Sequence, residues 1–246
     1  SVRAKELADA VAAIGFTRTY HLGYIDSGFH EDPADVPEGT FGRVDVEEPS
    51  RVVAGILRRE RPHVVVTYPE DGGYPHPDHI MNHAVTIRGM ELAEDPDADL
   101  SEVPGGEHPP WRVAKVYAST IFPSERVFAL HEAALRRGLE SPYERWIERY
   151  EQRGDEVEDD TPDARVECGD WFPRRDAALL AHVTQIDPNG NWFKMPRDLE
   201  RQIYPYEAYG LLRSDVPIEG IEDDLFAGLD IQALDAADGK VADQRS

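Results

Sequence analysis

Cysteine is nearly missing from this chain: Cys168 is the sole one among 246 residues, which excludes an internal disulfide and a thiolate-rich zinc site. Any metal is left to nitrogen and oxygen ligands. Basic residues are scarce as well, 26 against 49 acidic, for a formal net charge of −23. A field of that sign repels phosphate backbones and anionic headgroups, so nucleic acid and membrane are poor partners. No apolar run approaches the roughly 20 residues that cross a bilayer, and the opening residues carry no basic, apolar leader. The expectation is a soluble, cytoplasmic protein whose oligomeric state the sequence leaves open. There is no internal repeat, and roughly 200–250 residues suit one α/β domain. That domain is expected over 1–213, followed by an acidic tail over 214–246.

The pattern begins with an amphipathic helix over Ser1 to Ile14, whose stripe is Leu7, Ala10, Val11 and Ile14. The chain thus starts inside an element, and a β-strand upstream of it is expected. Gly15 stops the helix, and Thr17 to Leu22 alternate as a short strand should. Residues 29–47, with two prolines and two glycines, read as a surface loop. Pro49 then opens a helix that runs to Arg59. The run His63-Val64-Val65-Val66-Thr67-Tyr68, bounded by prolines, predicts a strand buried on both faces of a parallel sheet. A helix follows over Ile80 to Ala93, a loop over 94–111 and a strand over Arg112 to Ser119. Further helices are expected at Ser124–Arg137, Pro142–Arg153, Arg174–Val183 and Arg197–Ile203, with strands near Cys168 and at Ala208–Leu212. Residues 185–192 predict an irregular loop. Helices alternating with strands indicate a Rossmann-like α/β fold, a mostly parallel sheet flanked by helices.

Open α/β sheets bind ligands beyond the carboxyl ends of their strands. Just past the valine run stand Gly72 and Gly73, which let the backbone turn sharply, then Tyr74-Pro75-His76-Pro77-Asp78-His79. Two imidazoles and a carboxylate within four residues suit zinc, and ligating histidines are usually oriented by a carboxylate such as Asp78. The plain alternative is an exposed turn whose polar groups cap the next helix. His83 stands four residues after His79 on one helical face, but the residues between them are Ile80, Met81 and Asn82, and surface placement is the better reading. Glu70 and Asp71 read as solvated loop charges. Trp171, Trp192 and Phe193 read as core or as lining for an apolar group. The runs Glu156 to Asp160 and Glu222 to Asp224 lack calcium-loop spacing and serve solubility.

The segment Gly72 to His79 resembles the second signature of the LmbE/PIG-L deacetylase-like superfamily. The resemblance extends to Arg3-Ala4-Lys5-Glu6-Leu7, to Leu22-Gly23-Tyr24-Ile25-Asp26-Ser27-Gly28 and to His182-Val183-Thr184-Gln185. Tyr74 to His79 together with Thr184 to Pro188 is most similar to the mycothiol S-conjugate amidase branch. The resemblance implies an LmbE-like fold and one Zn2+ per chain, with Fe2+ as an alternative metal. It implies hydrolysis of an amide on an amino sugar, releasing an N-acetylcysteine S-conjugate and glucosaminyl-inositol from a small-molecule thiol conjugate. His79 matches the metal ligand. His76 matches the group that stabilises the oxyanion or protonates the leaving amine, Asp78 its supporting carboxylate, and Tyr74 a donor to the substrate carbonyl. Arg3, Asp26 and His182 match residues near the substrate.

One part of the family pattern is missing. Relatives open with a strand and an Ala-His-Pro-Asp-Asp-Glu-like signature that supplies further ligands and the general base, and this sequence holds no second His-Pro-Asp motif. The expectation is that residues preceding Ser1 supply them. Two alternatives remain: an amino-sugar deacetylase with the same machinery, and a non-catalytic carbohydrate-binding pseudoenzyme.

Overall fold

A computed structural model describes residues 2–30, 32–153 and 160–235. The elements are α1 (Val2–Ile14), α2 (Glu47–Glu60), β1 (Val64–Thr67), α3 (Pro77–Glu94), β2 (Lys115–Thr120), α4 (Ser124–Arg136), α5 (Glu144–Arg153), β3 (Ala164–Glu167), α6 (Phe172–Ala181), α7 (Asn191–Lys194), α8 (Arg197–Ile203) and β4 (Tyr206–Ser214). They divide into two compact units: Ser1–His21 with Phe122–Glu207, and Leu22–Ile121 with Ala208–Ser246.

In the second unit the β-branched run forms β1, which pairs in parallel with β2 from Val64↔Lys115 to Thr67↔Ala118. β2 pairs antiparallel with β4, with an irregularity between Val116 and Tyr117. Within this unit the strand order is β1-β2-β4, so the expected α/β sheet is mixed, one parallel pair joined to an antiparallel return. β1 stands at an edge of that order, and Val66 remains 44% exposed, so the two-sided burial expected of the valine run is not realised. Helix α2 carries Glu47 and Glu48 in its first turn and Arg58 and Arg59 in its last, matching the helix dipole. It packs on α3, and Ala54, Leu57, Met90, Ala93, Trp111, Val113 and Val116 form the core of this unit.

The segment after Asp215, expected as a loose acidic tail, is anchored at Glu222. This carboxylate, 7% exposed, accepts from Lys115 Nζ at 2.6 Å and from the Tyr117 hydroxyl. Lys115 is fully buried and also donates to the Ala227 carbonyl at 2.7 Å. Burying a lysine amine without such partners is costly, and the tail supplies them. Residues 236–246 and the acidic run 156–159 lie outside the described residues.

The first unit packs α4, α5 and α8 around Val127, Leu130, Ala133, Ala134, Tyr143, Met195, Leu199 and Tyr204, and α1 lies on α6. The expected apolar stripe of α1 is only partly inward: Ala10 is buried, Leu7 is 37% exposed, and the other buried residue is Glu6. Glu6 is tolerated there because its carboxylate accepts from Thr184 N at 2.7 Å, from Thr184 Oγ1 at 3.0 Å and from Arg3 Nη1 at 3.0 Å. Deeper in this unit Glu200, 1% exposed, receives Arg126 at 2.9 Å, Arg175 at 3.1 Å and Arg197 at 2.5 Å. Burial alone would raise its pKa, but the three guanidiniums outweigh it and hold the carboxyl below its ordinary value.

Two local expectations fail. Thr17 to Leu22 forms no strand, and the nearest pairing is an isolated parallel bridge between Ile25 and Thr40. A short alternating segment becomes a strand only when a neighbour supplies ladder partners, and among the described residues none pairs with it. Within the loop expected over 185–192, Asn191 already begins the one-turn helix α7.

Candidate active site

The site grows from the carboxyl end of β1. Thr67 Oγ1 donates to Asn82 Oδ1 at 3.2 Å, and the Tyr68 carbonyl meets His83 Nδ1 at 2.7 Å, so two residues of α3 tie the helix to the strand end. His83 is thereby given a structural task. Between strand and helix the chain reverses at Gly72, whose amide bonds the Pro69 carbonyl at 2.9 Å. The Asp71 carboxylate accepts from the Gly73 amide at 2.8 Å. Gly72 and Gly73 sit at φ 76° and 74°, a region that side chains disfavour. Gly72 is also crowded: a Cβ there would lie 2.8 Å from His79 Cβ and 2.8 Å from the Tyr74 carbonyl oxygen.

Helix α3 begins at the motif itself. His76 is its N-cap, with Nδ1 accepting from the Asp78 amide at 3.2 Å, and Pro77 takes the first helical position. The capping expected of the plain reading is therefore present, supplied by His76, and Asp78 is turned elsewhere. One Asp78 oxygen accepts from the Ser27 amide at 3.1 Å. The other, Oδ1, is buried and has no hydrogen-bond partner among the described residues.

Ser27 anchors the loop that carries Asp26. Besides its amide bond to Asp78, its hydroxyl donates to Thr40 Oγ1 at 3.1 Å and accepts from the Gly42 amide at 2.8 Å. Asp26 accepts from the Gly28 amide at 2.8 Å. Asp26, His76 and Asp78 each bring one ligand-type atom within 4.8 Å of the others.

His79 lies beside this group. Its Nδ1 is 3.0 Å from the Gly72 carbonyl; a carbonyl only accepts, so Nδ1 carries the proton and Nε2 holds the lone pair. The ring stacks on Tyr68 at 4.0 Å and on His76 at 5.0 Å, and meets Tyr74 edge-on at 4.8 Å. Burial holds the imidazole below its ordinary value of 6.5, against the opposing Gly72 bond, so His79 is neutral at neutral pH. Tyr68 is shifted upward by its own burial and then by Tyr74, and it remains a neutral phenol. Phe29 completes the surroundings, with its ring 6.3 Å from both Tyr74 and His76.

Tyr74, His76, Asp78, His79 and Asp26 thus belong to one unit and one neighbourhood. Arg3 and His182 belong to the other unit. There Arg3 pairs with Glu6, and His182 ends α6, its carbonyl accepting from Gln185 and Ile186. Cys168, also in that unit, has its thiol pushed up to about 11, chiefly by burial, and stays protonated. Sequence reasoning did not single out Ser27, Tyr68 or Phe29 as site residues. Tyr68, directly after the valine run, was the one with a visible signal.

The family profile described as PIG-L: GlcNAc-PI de-N-acetylase matches residues 1–90, the span that holds the whole cluster. The mycothiol S-conjugate amidase of Streptomyces coelicolor is 43% identical over 231 residues, covering 93% of this chain and 76% of that protein. The chain belongs to the PIG-L family. A second PIG-L relative is the 1D-myo-inositol 2-acetamido-2-deoxy-alpha-D-glucopyranoside deacetylase of Thermomonospora curvata, 38% identical over 236 residues, with 92% of this chain and 76% of that protein covered. The crystal structure of the conserved protein TT1542 from Thermus thermophilus shares the PIG-L chain's fold, with a TM-score of 0.51 at 20% identity over 89% of this chain and 74% of that one.

Proposed function

We propose that this chain is a metal-dependent amidase that cleaves the amide joining an amino sugar to the N-acetylcysteine part of a thiol S-conjugate, leaving glucosaminyl-inositol. The observation that carries the reading is the buried Asp78 Oδ1. An unpartnered carboxylate oxygen is costly away from water, and a cation bound at the motif would satisfy it. The donors are imidazole and carboxylate, which suit zinc and also Fe2+. The 43% identity to a mycothiol S-conjugate amidase supports the substrate class.

We assign His79 as the metal ligand, since its Nε2 lone pair is free and its tautomer is fixed by Gly72. When bound, a divalent ion polarises the amide carbonyl and acidifies water. Residues of the chain act on the carbonyl and on the leaving group. The Tyr74 hydroxyl donates to the carbonyl oxygen as negative charge grows on it, a contribution of about 2–4 kcal/mol for a well-placed donor. His76 is assigned the transfer of a proton to the departing amine nitrogen. Asp26, on the same unit as the motif, is assigned to the polar part of the substrate.

A second arrangement has an observation in its favour, because the ligand-type atoms that cluster are those of Asp26, His76 and Asp78 rather than His79. Metal analysis of purified variants separates the two. The expected result is that His79→Ala loses the ion while His76→Ala keeps it and turns over slowly. Loss of metal in Asp26→Asn and His76→Ala with retention in His79→Ala would move the ion to the other set. Comparing acetate release with release of a fluorescent N-acetylcysteine conjugate tests the substrate. A preference for acetate would assign the chain to the deacetylase activity of its second relative.

A further inference from the structure

We propose that Phe29 is a specificity-determining residue whose ring receives the apolar group attached to the sulfur of the conjugate; this rests on the amidase reading above. Phe29 follows Gly28, which takes a positive φ of 71° and is bonded back to Asp26. The aromatic side chain is therefore carried on the turn that also carries the Asp26 carboxylate. Its ring is 6.3 Å from Tyr74 and 6.3 Å from His76, inclined by 35° and 44°.

Phe29 stays 55% exposed and Tyr74 48%. Neither belongs to a buried cluster, so these rings do not serve as core. A single exposed apolar residue needs no explanation. Two exposed rings in contact with each other and with the motif imidazoles have a specific consequence, because they form an apolar wall beside the polar groups that would handle the amide. Small-molecule sites combine such a wall with a few convergent polar groups.

The occupant follows from where the wall stands. The acyl part of an S-conjugate ends in a thioether bearing a variable substituent, whereas the sugar and inositol offer only small C–H faces between their hydroxyls, less apolar area than an aromatic substituent brings. A planar aromatic substituent would pack against Phe29 at ring-centroid separations of about 4.5–7 Å. A methyl substituent would leave most of the ring uncovered.

The test compares kcat/KM of the metal-loaded protein and its Phe29→Ala and Phe29→Leu variants on two substrates, the bimane S-conjugate and the S-methyl conjugate. Because the side chain is more than half exposed, the variants should melt as the parent does, which circular dichroism checks. The expected result is that the bimane-to-methyl ratio of kcat/KM falls roughly tenfold in Phe29→Ala, the scale of one lost apolar contact, and by less in Phe29→Leu. The fluorescent bimane N-acetylcysteine product should also bind Phe29→Ala more weakly in an equilibrium titration. An unchanged ratio in Phe29→Ala, with the parent active on both conjugates, would overturn the inference and leave the amidase reading standing. A parent that hydrolyses neither conjugate but releases acetate would overturn both.

Discussion

Replacing each of the paired glycines by alanine isolates the contact that holds His79. Both residues lie at positive φ, 76° for Gly72 and 74° for Gly73, and an L-residue in that region costs about 1–2 kcal/mol. The surroundings differ. A Cβ at Gly73 would meet nothing nearer than Pro69 Cγ at 3.7 Å, whereas at Gly72 it would lie 2.8 Å from His79 Cβ and 2.8 Å from the Tyr74 carbonyl oxygen. Carbon atoms pack at about 3.5 Å or more, so His79 or the loop must retreat by roughly 0.7 Å. Neither contact is the far end of a flexible side chain, so the shift falls on the imidazole and on its bond to the Gly72 carbonyl. Misplacement on the scale of 1 Å costs on the order of 100-fold in turnover. Gly73→Ala should therefore lose about 1–2 kcal/mol of stability with kcat/KM within a fewfold of the parent. Gly72→Ala should lose further stability, roughly 1–3 kcal/mol from the overlap, together with metal content and most turnover. Thermal melts, elemental analysis and amidase kinetics on the two proteins decide it. Equal kinetic losses, or a Gly72→Ala enzyme with parental turnover, would refute the packing argument.

Glu200→Gln should destabilise the protein by about 3–5 kcal/mol, because it removes the buried negative charge that Arg126, Arg175 and Arg197 share; chemical denaturation measures it, and a loss below about 1 kcal/mol would contradict the charge count. The carboxyl of Glu200 is held below its ordinary 4.5, so its stabilisation is complete above that pH and disappears as pH falls through the lower folded-state value. The parent should lose stability on acidification in that window, and Glu200→Gln should lose less there. At the tail, Glu222→Leu should cost a similar amount by leaving Lys115 buried without its carboxylate. Adding Lys115→Met should recover most of it; a double variant no more stable than the single would show that the pair is not coupled.

The sequence by itself determined much of the local order. The valine run, the prolines around it and the glycines after it placed a strand, a reversal and a helix that the structure realises as β1, the turn at Gly72 and Gly73, and α3. These features are local: β-branching, backbone freedom and N-capping act within a few residues. For the same reason Arg197 to Ile203 appears with the expected ends. Family membership was equally legible, because a tetrapeptide dense in imidazole and carboxylate keeps its signature whatever surrounds it.

Tertiary structure decided what depended on distant partners. Thr17 to Leu22 has a strand's alternation but no pairing neighbour among the described residues, and Glu6 is buried where Leu7 was expected because Thr184 stands ready to bond it. Ser27 and Asp78, 51 residues apart, combine to orient one carboxylate oxygen and to leave the other buried without a partner. Phe29 and Tyr74 come together from separate loops. Periodicity and propensity describe how a segment prefers to fold. Which polar atoms are satisfied, and which rings remain exposed, is settled only when segments far apart in the chain exclude water from one another.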